Sequence, residues 1–277
     1  MSELPTPLDD ASRANQRTMK RWSLWANVLV AGGLMISLAM WLLSGAVSQS
    51  FEASRRTSCN CQLKQFGLAM HNYHDQYGSF PPAFVRGPDG RKWHSWRVLL
   101  LPFMEQGPLY EAYRFDEPWD GPNNRKLLAM MPSLYACPSR PCEKQSAILL
   151  AIGTLACSDR PSPSVENGFT SYAAVFGRDC VFRGDQPVSI KDMTDGTSNT
   201  LLIGECTHTK IPWTKPDDVY IESHPTLGDA DGFSGPHEGG IYFLKADGGV
   251  RWVNLTTSQE TVSALFTRNG GESIPDF

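Results

Sequence analysis

His237 is followed after nine residues by Asp247 and Gly248, within "HEGGIYFLKADGGVRW". A histidine beside an acid can serve as a general base, provided that the two side chains meet. The residues between them argue against a meeting. Ile241 and Phe243 alternate with Tyr242 and Leu244 in the manner of a strand, and Asp-Gly is a hairpin-turn dipeptide because a tight turn needs positive φ. An extended run of that length separates its ends by about 30 Å. His237, Asp247 and Gly248 therefore read as a structural motif: Asp247 sets the turn, Gly239 and Gly240 allow a bend, and His237 bonds a neighbouring loop.

Other groups carry metal chemistry in principle. His71 and His74 lie three residues apart with Asp75 beside them, so one helical face could offer two ligands while a third came from elsewhere. The loop "DMTDGTSNT" presents oxygen ligands from Asp192, Asp195, Ser198 and Asn199, the type that calcium prefers. Its spacing is not that of an EF-hand, and an Asx turn feeding the next strand is the simpler reading. Calcium at Asp192, Asp195 and Asn199 stands as an alternative, and Asp229 and Asp231 are weaker candidates. Neither a nucleophile elbow nor a phosphate-binding loop occurs.

Seven cysteines are present: Cys59, Cys61, Cys137, Cys142, Cys157, Cys180 and Cys206. None forms a Cys-x-x-Cys pair or sits beside a histidine at zinc-finger spacing. In an exported domain they could form up to three disulfides and leave at least one thiol. Their connectivity is not readable from spacing.

The elements that would position these groups begin with an apolar run. No charged residue occurs from Trp22 to Phe51. About 20 helical residues cross a bilayer core, and Trp22, Trp25 and Trp41 fall where indoles favour the interface. Residues 22–47 are predicted to be a transmembrane helix. Arg13, Arg17, Lys20 and Arg21 precede the run more densely than Arg55, Arg56 and Lys64 follow it. That bias makes residues 1–21 a cytoplasmic basic flank and residues 48–277 extracytoplasmic. Ser44-Gly45-Ala46 resembles a signal-peptidase site, but the apolar region exceeds the usual signal core of about 7–15 residues, which favours an uncleaved anchor.

Beyond the anchor, Cys59, Leu63, Phe66, Met70, Tyr73 and Tyr77 recur at gaps of four and three, the stripe of one buried helical face. The reading is a spine helix over 52–77 that Gly78 and "SFPP" end. Short helices follow, broken at Pro102 and at Gly107-Pro108, with a short strand around Leu134–Cys137. "EKQSAILLAIGTLACSDRPSPS" stays ambiguous between helix and buried strand. "TSYAAVF" and "TLLIGECTH" read as strands. A last helix begins with a capping box from Thr257 to Glu260. The fold class is α+β, a long helix on an antiparallel sheet with short helices. The net charge of −4, with no basic stripe, gives no sign of a nucleic-acid partner.

"SCNCQLKQFGLAMHNYHDQYGSFPPA", "LLPFMEQGPLYEAY", "YACPS", "DMTDGTSNTLLIGE", the H-x(9)-D-G run and "FTRNGGE" occur in that order. Together they resemble the planctomycete pilin-like proteins with the H-x(9)-D-G domain, a domain of unknown function, over roughly residues 52–277. The resemblance implies a type IV pilin-like or type II secretion pseudopilin-like fold, with a membrane-spanning spine helix packed on an antiparallel β-sheet. It also implies partners among other pilin-like subunits or secretion-system components. Members of that family carry a G-F-T-L-x-E segment cut by prepilin peptidase. Here the span reads "KRWSLWANVLVAGGLMISL", with no glutamate and no recognised processing site. A lone carboxylate in lipid is expensive, so its absence points to a permanently anchored relative outside a processed fibre. The expected function is a non-enzymatic, pseudopilin-like structural or binding protein of the cell envelope, single-pass in the membrane and without a cofactor. The alternatives are a calcium-dependent binding protein and a metal-assisted hydrolase using His71, His74 or His237.

Overall fold

The computed structural model describes residues 7–139, 168–224 and 226–272, with side chains described at 29–42 and, within that set, from residue 53 onward. The ambiguous stretch 143–164, with Cys142 and Cys157, lies outside the described residues. Two compact units are distinguished, Met1–Ser54 and Arg55–Phe277.

Helix α1 runs Pro7–Tyr77. In the first unit, Leu29, Val30, Leu34, Met35, Ile36, Leu38, Met40, Trp41 and Leu42 are exposed. Among the described residues no helix is long and apolar enough to cross a membrane. The predicted span 22–47 includes residues whose side chains are not described.

In the second unit α1 buries Cys59, Leu63, Phe66, Ala69 and Met70, the four-and-three spacing of a single helical face. That face ends earlier than the stripe predicts, because Tyr77 is exposed and stacks sideways on Tyr73 and Phe103. Gly78 takes φ 76° and donates its N–H to His74 O, closing the helix.

The sheet under α1 has the strand order β5-β3-β4-β6-β7, formed by β3 (Tyr172–Phe176), β4 (Leu201–Glu205), β5 (Val219–Tyr220), β6 (Gly240–Lys245) and β7 (Val250–Asn254). All pairings are antiparallel except β3 with β5, which is parallel. A separate two-stranded ribbon joins β1 (Phe84–Arg86) to β2 (Lys92–Ser95). Every residue of the central strand β4 is buried, because both faces of the sheet are covered. Tyr172, Ala174, Leu202 and Leu244 belong to the core on the α1 side. Ala173, Val175, Ile241, Phe243 and Val253 form a second core with Val262, Leu265 and Phe266 of α4 (Gln259–Phe266).

The short elements differ from expectation in detail. Pro102 and Pro108 do not break helices. They stand near the start of a 3-10 turn (Leu101–Met104) and of α3 (Gly107–Ala112), where the missing N–H costs nothing. Helix α2 covers Trp96–Leu99. The segment expected as a strand around Leu134–Cys137 begins as a 3-10 turn over Ser133–Tyr135, because Pro132 precedes it and the Tyr135 and Ala136 N–H groups bond back to Pro132 O and Ser133 O instead of joining a ladder. The cap of α4 lies one residue later than Thr257: Ser258 Oγ accepts from the Thr261 N–H.

Candidate metal centre

Four buried side chains converge where α1, the 133–137 segment and the end of β4 meet the loop leading into β6. Cys59 comes from α1 and Cys137 follows the 3-10 turn. Glu205 is the last residue of β4, and His237 precedes β6. Their ligand atoms all lie within 4.8 Å of one another, and all four residues are buried. They form the group able to hold a metal ion among the described residues.

Each member is held by local structure. Gln62, one turn after Cys59, donates from Nε2 to Ala136 O at 3.1 Å and Ser133 O at 3.3 Å, and accepts from the Tyr172 hydroxyl at 2.8 Å. These bonds bring the Cys137 segment against α1. Cys59 and Cys137 are joined as a disulfide, with Cα atoms 5.8 Å apart, inside the range that a bridge requires. Cys180 and Cys206 remain as buried thiols and Cys61 as an exposed one.

Glu205 points inward from a fully buried strand. Its Oε2 accepts the Tyr242 N–H at 2.9 Å, and Gly235 leaves room for that oxygen, since a Cβ there would stand 3.0 Å from it. Its Oε1 accepts no hydrogen bond. His237 Nε2 lies 3.6 Å from Oε1, with both side chains fully buried. That distance is too long for a charge-assisted hydrogen bond. Burial is the main cause that pushes the Glu205 carboxyl up to about 7, while the Tyr242 N–H and the Arg56 charge pull it down. Above the pair, the His237 ring meets Tyr242 edge-on and Trp252 at a tilt, and the Arg56 guanidinium lies over Trp252.

The residues singled out from sequence are dispersed. His237 and Asp247 lie at opposite ends of β6, as strand geometry requires. Asp247 Oδ1 accepts from the Gly249 N–H at 2.8 Å and Oδ2 from Lys245 Nζ at 2.9 Å, while Gly248 takes φ 82°. The His71 ring packs over this turn: a Cβ on Gly248 would lie 3.5 Å from its Cδ2. His74 accepts the Ile190 N–H at Nε2, and both rings meet Phe80. Asp75 is exposed.

The oxygen-rich loop is occupied by backbone donors. Asp195 accepts the Gly270 and Gly271 N–H groups at 2.7 and 2.9 Å. Asp192 Oδ2 accepts the Ser189 N–H at 2.9 Å, and Asn199 Nδ2 donates to Asp195 O. The loop thereby ties the C-terminal "NGG" to β4.

A cleft of about 180 Å³ opens elsewhere, beside Asp217 and Asp218, and none of the four cluster residues lines it. Lys92 Nζ already lies over the Phe84 and Phe176 rings at its edge.

Sequence reasoning found His237 but missed its neighbours. A signal was present, since Cys59, Cys137 and Glu205 sit in "SCNC", "YACPS" and "TLLIGE". What was missing was any spacing that would link them.

No curated protein and no solved structure gives a significant match to the chain. Residues 51–226, which contain Cys59, Cys137 and Glu205 and stop short of His237, match the family described as "Protein of unknown function (DUF1559)". That match covers more than half of the 277 residues, and the chain belongs to this family.

Proposed function

We propose that this protein is a membrane-anchored, pseudopilin-like structural or binding protein of the cell envelope, with residues 1–21 cytoplasmic and residues 48–277 extracytoplasmic. The observation that carries the reading is the exposed apolar belt of α1. Leu29, Met35 and Met40 are 73%, 67% and 67% exposed, and so large an exposed apolar surface marks a site for an apolar partner. Lipid fits the charge-free sequence around it. The belt's polar hydroxyl, Ser37, bonds back to Gly33 O at 2.9 Å, which satisfies it within the helix as a bilayer demands.

The pilin-like part of the reading draws on the buried stripe of α1 against an antiparallel sheet. A structural role, rather than a catalytic one, is supported by the burial of all four clustered side chains and by their absence from the lining of the cleft beside Asp217 and Asp218. His71 and His74 both meet Phe80, whereas His237 packs against Tyr242 and Trp252, so the three do not form one site, which weighs against the hydrolase alternative. The acids of the 192–199 loop are satisfied by the chain itself, which weighs against the calcium alternative.

The test is the N-terminal mass of the protein recovered from membranes. An intact N-terminus, allowing for loss of the initiator Met, in a chain that needs detergent for extraction is the expected result. Cleavage near Ala46 with a soluble product would overturn the anchored reading. Cleavage just ahead of the apolar run would make the chain a processed pilin-like subunit.

A further inference from the structure

The disulfide by itself needs neither a histidine nor a carboxylate beside it, yet Glu205 Oε1 is buried without a hydrogen-bond donor. Leaving a buried polar atom unsatisfied costs about 1–3 kcal/mol, and more for a charged group. His237 Nε2 stands 3.6 Å from that oxygen. Two ligands on one tetrahedral zinc ion, with bonds of about 2.0–2.2 Å, sit roughly 3.3–3.6 Å apart. The separation that is wrong for a direct bond is right for two ligands of one ion.

We propose that Cys59, Cys137, Glu205 and His237 form a redox-gated site for a four-coordinate divalent transition metal, zinc above all, which is open in the dithiol form and closed by the Cys59–Cys137 disulfide. Two thiolate sulfurs, an imidazole nitrogen and a carboxylate oxygen are a donor set suited to a borderline-soft ion and unsuited to calcium or magnesium. The four donors come from four separate chain segments, so the ion would join α1 and the 133–137 segment to the sheet and the β6 loop.

The gate follows from charge. In the dithiol form the site supplies two thiolates and one carboxylate to a dication. In the disulfide form the sulfurs carry no charge, and one carboxylate with a neutral imidazole remains. Closure balances when a low-molecular-weight disulfide is the oxidant. The two zinc-bound thiolates lose two electrons and form the Cys59–Cys137 bond. The oxidant's S–S bond takes up those electrons and leaves as two thiolates, and Zn²⁺ departs with its oxidation state unchanged. Opening needs a thiol or phosphine reductant. The inference is independent of the envelope reading, because it concerns only residues 59–237 and is read by metal content.

The experiment uses the full-length protein in detergent, once as isolated and oxidised, and once reduced with a phosphine under anaerobic conditions and freed of reductant. Each form is titrated with Co²⁺ and then with Zn²⁺. The reduced chain is expected to bind one Co²⁺, with a thiolate-to-cobalt charge-transfer band and the visible bands of four-coordinate cobalt. Zinc should displace the cobalt, and oxidised glutathione should release the metal. The oxidised chain should bind none at this site. Glu205→Gln should weaken binding by the reduced chain ~100-fold or more, since even residues that merely orient a metal ligand are worth ~10–100-fold. Cys61→Ser, which alters an exposed thiol outside the cluster, should bind as the parent does.

Equal uptake by the oxidised and reduced chains would overturn the proposal. So would a reduced chain without the thiolate band, or binding that Glu205→Gln leaves unchanged while its circular dichroism stays that of the parent. A disulfide that resists the phosphine while the fold is retained would remove the gate and the proposal with it. The comparison of oxidised and reduced parent protein needs no variant, so a substitution that fails to fold does not block the test.

Discussion

Two buried ionic clusters lie on the same sheet, and they are built to opposite standards. At the β3–β5 end, Arg97 and Asp218 are essentially solvent-free and meet at 2.7 Å. The guanidinium also donates to Tyr172 O, Asp217 O and Ser95 Oγ, and its flat face covers Trp96. Asp218 accepts from Trp96 Nε1 and from the Ala174 N–H. Its carboxyl is still raised, chiefly by burial, with Arg97 and these donors opposing the shift. The other cluster, at the junction of β4 and β6, gives Glu205 one backbone donor on one oxygen and leaves the other oxygen bare. A closed network is a lock, whereas an open one is a place for an ion. Burial alone does not separate the two, because the side chains of both are buried.

The comparison breaks most visibly at the lock. Arg97→Met leaves Asp218 buried without its partner and should cost about 3–5 kcal/mol, the usual loss when half of a buried pair is removed. Adding Asp218→Leu should recover much of that loss, as read by denaturant melts of the two variants. If the single variant melts like the parent, the network is not a lock.

Next comes the disulfide wall of the open cluster. Cys59 and Cys137 close a loop with a sequence separation of 78, so Cys59→Ser should cost about 2–4 kcal/mol under oxidising conditions and almost nothing relative to the reduced parent. An equal loss in both conditions would assign the effect to packing instead.

The open cluster should also impose a pH dependence on the oxidised, metal-free protein. The folded carboxyl of Glu205 is raised from its ordinary 4.5 to about 7, so the folded chain keeps a proton that the unfolded chain releases. Stability from this group is fully present below about pH 4.5 and is lost as pH rises through about 7. The loss is about 3–4 kcal/mol at full ionisation. Glu205→Gln should flatten that slope and melt higher than the parent at pH 8. A parent whose stability does not fall across this window would show that the carboxylate is already compensated.

The smallest effect is at the loop outside both clusters. Asp195→Ala removes the acceptor of the Gly270 and Gly271 N–H groups and should cost about 1–2 kcal/mol. Hydrogen exchange at those two amides should rise before the sheet is affected. Calcium should change neither protein's melting temperature, and a calcium-dependent rise in the parent would reinstate the loop as a cation site.

Local pattern carried much of the architecture. The stripe from Cys59 to Met70 and the Asp247-Gly248 turn between two strands were readable because helical and strand periods, and the φ demand of a tight turn, act within a few residues. Details failed where neighbouring residues compete for the same backbone groups. The Tyr135 and Ala136 N–H groups bond back to Pro132 O and Ser133 O, so the segment around Leu134–Cys137 turns instead of pairing. Ser258 caps α4 in place of Thr257.

The open cluster was illegible for a different reason. Cys59, Cys137, Glu205 and His237 obey no common spacing, and each stands in a motif that reads on its own as helix, loop, strand or turn. By itself the sequence determined the helix stripe, the strands, the hairpin and the apolar run, because each is written in consecutive residues. Only the tertiary structure decided which cysteines pair and which acid meets which histidine. Packing α1 across β4 brings together side chains whose proximity depends on the whole sheet, and no local period records it.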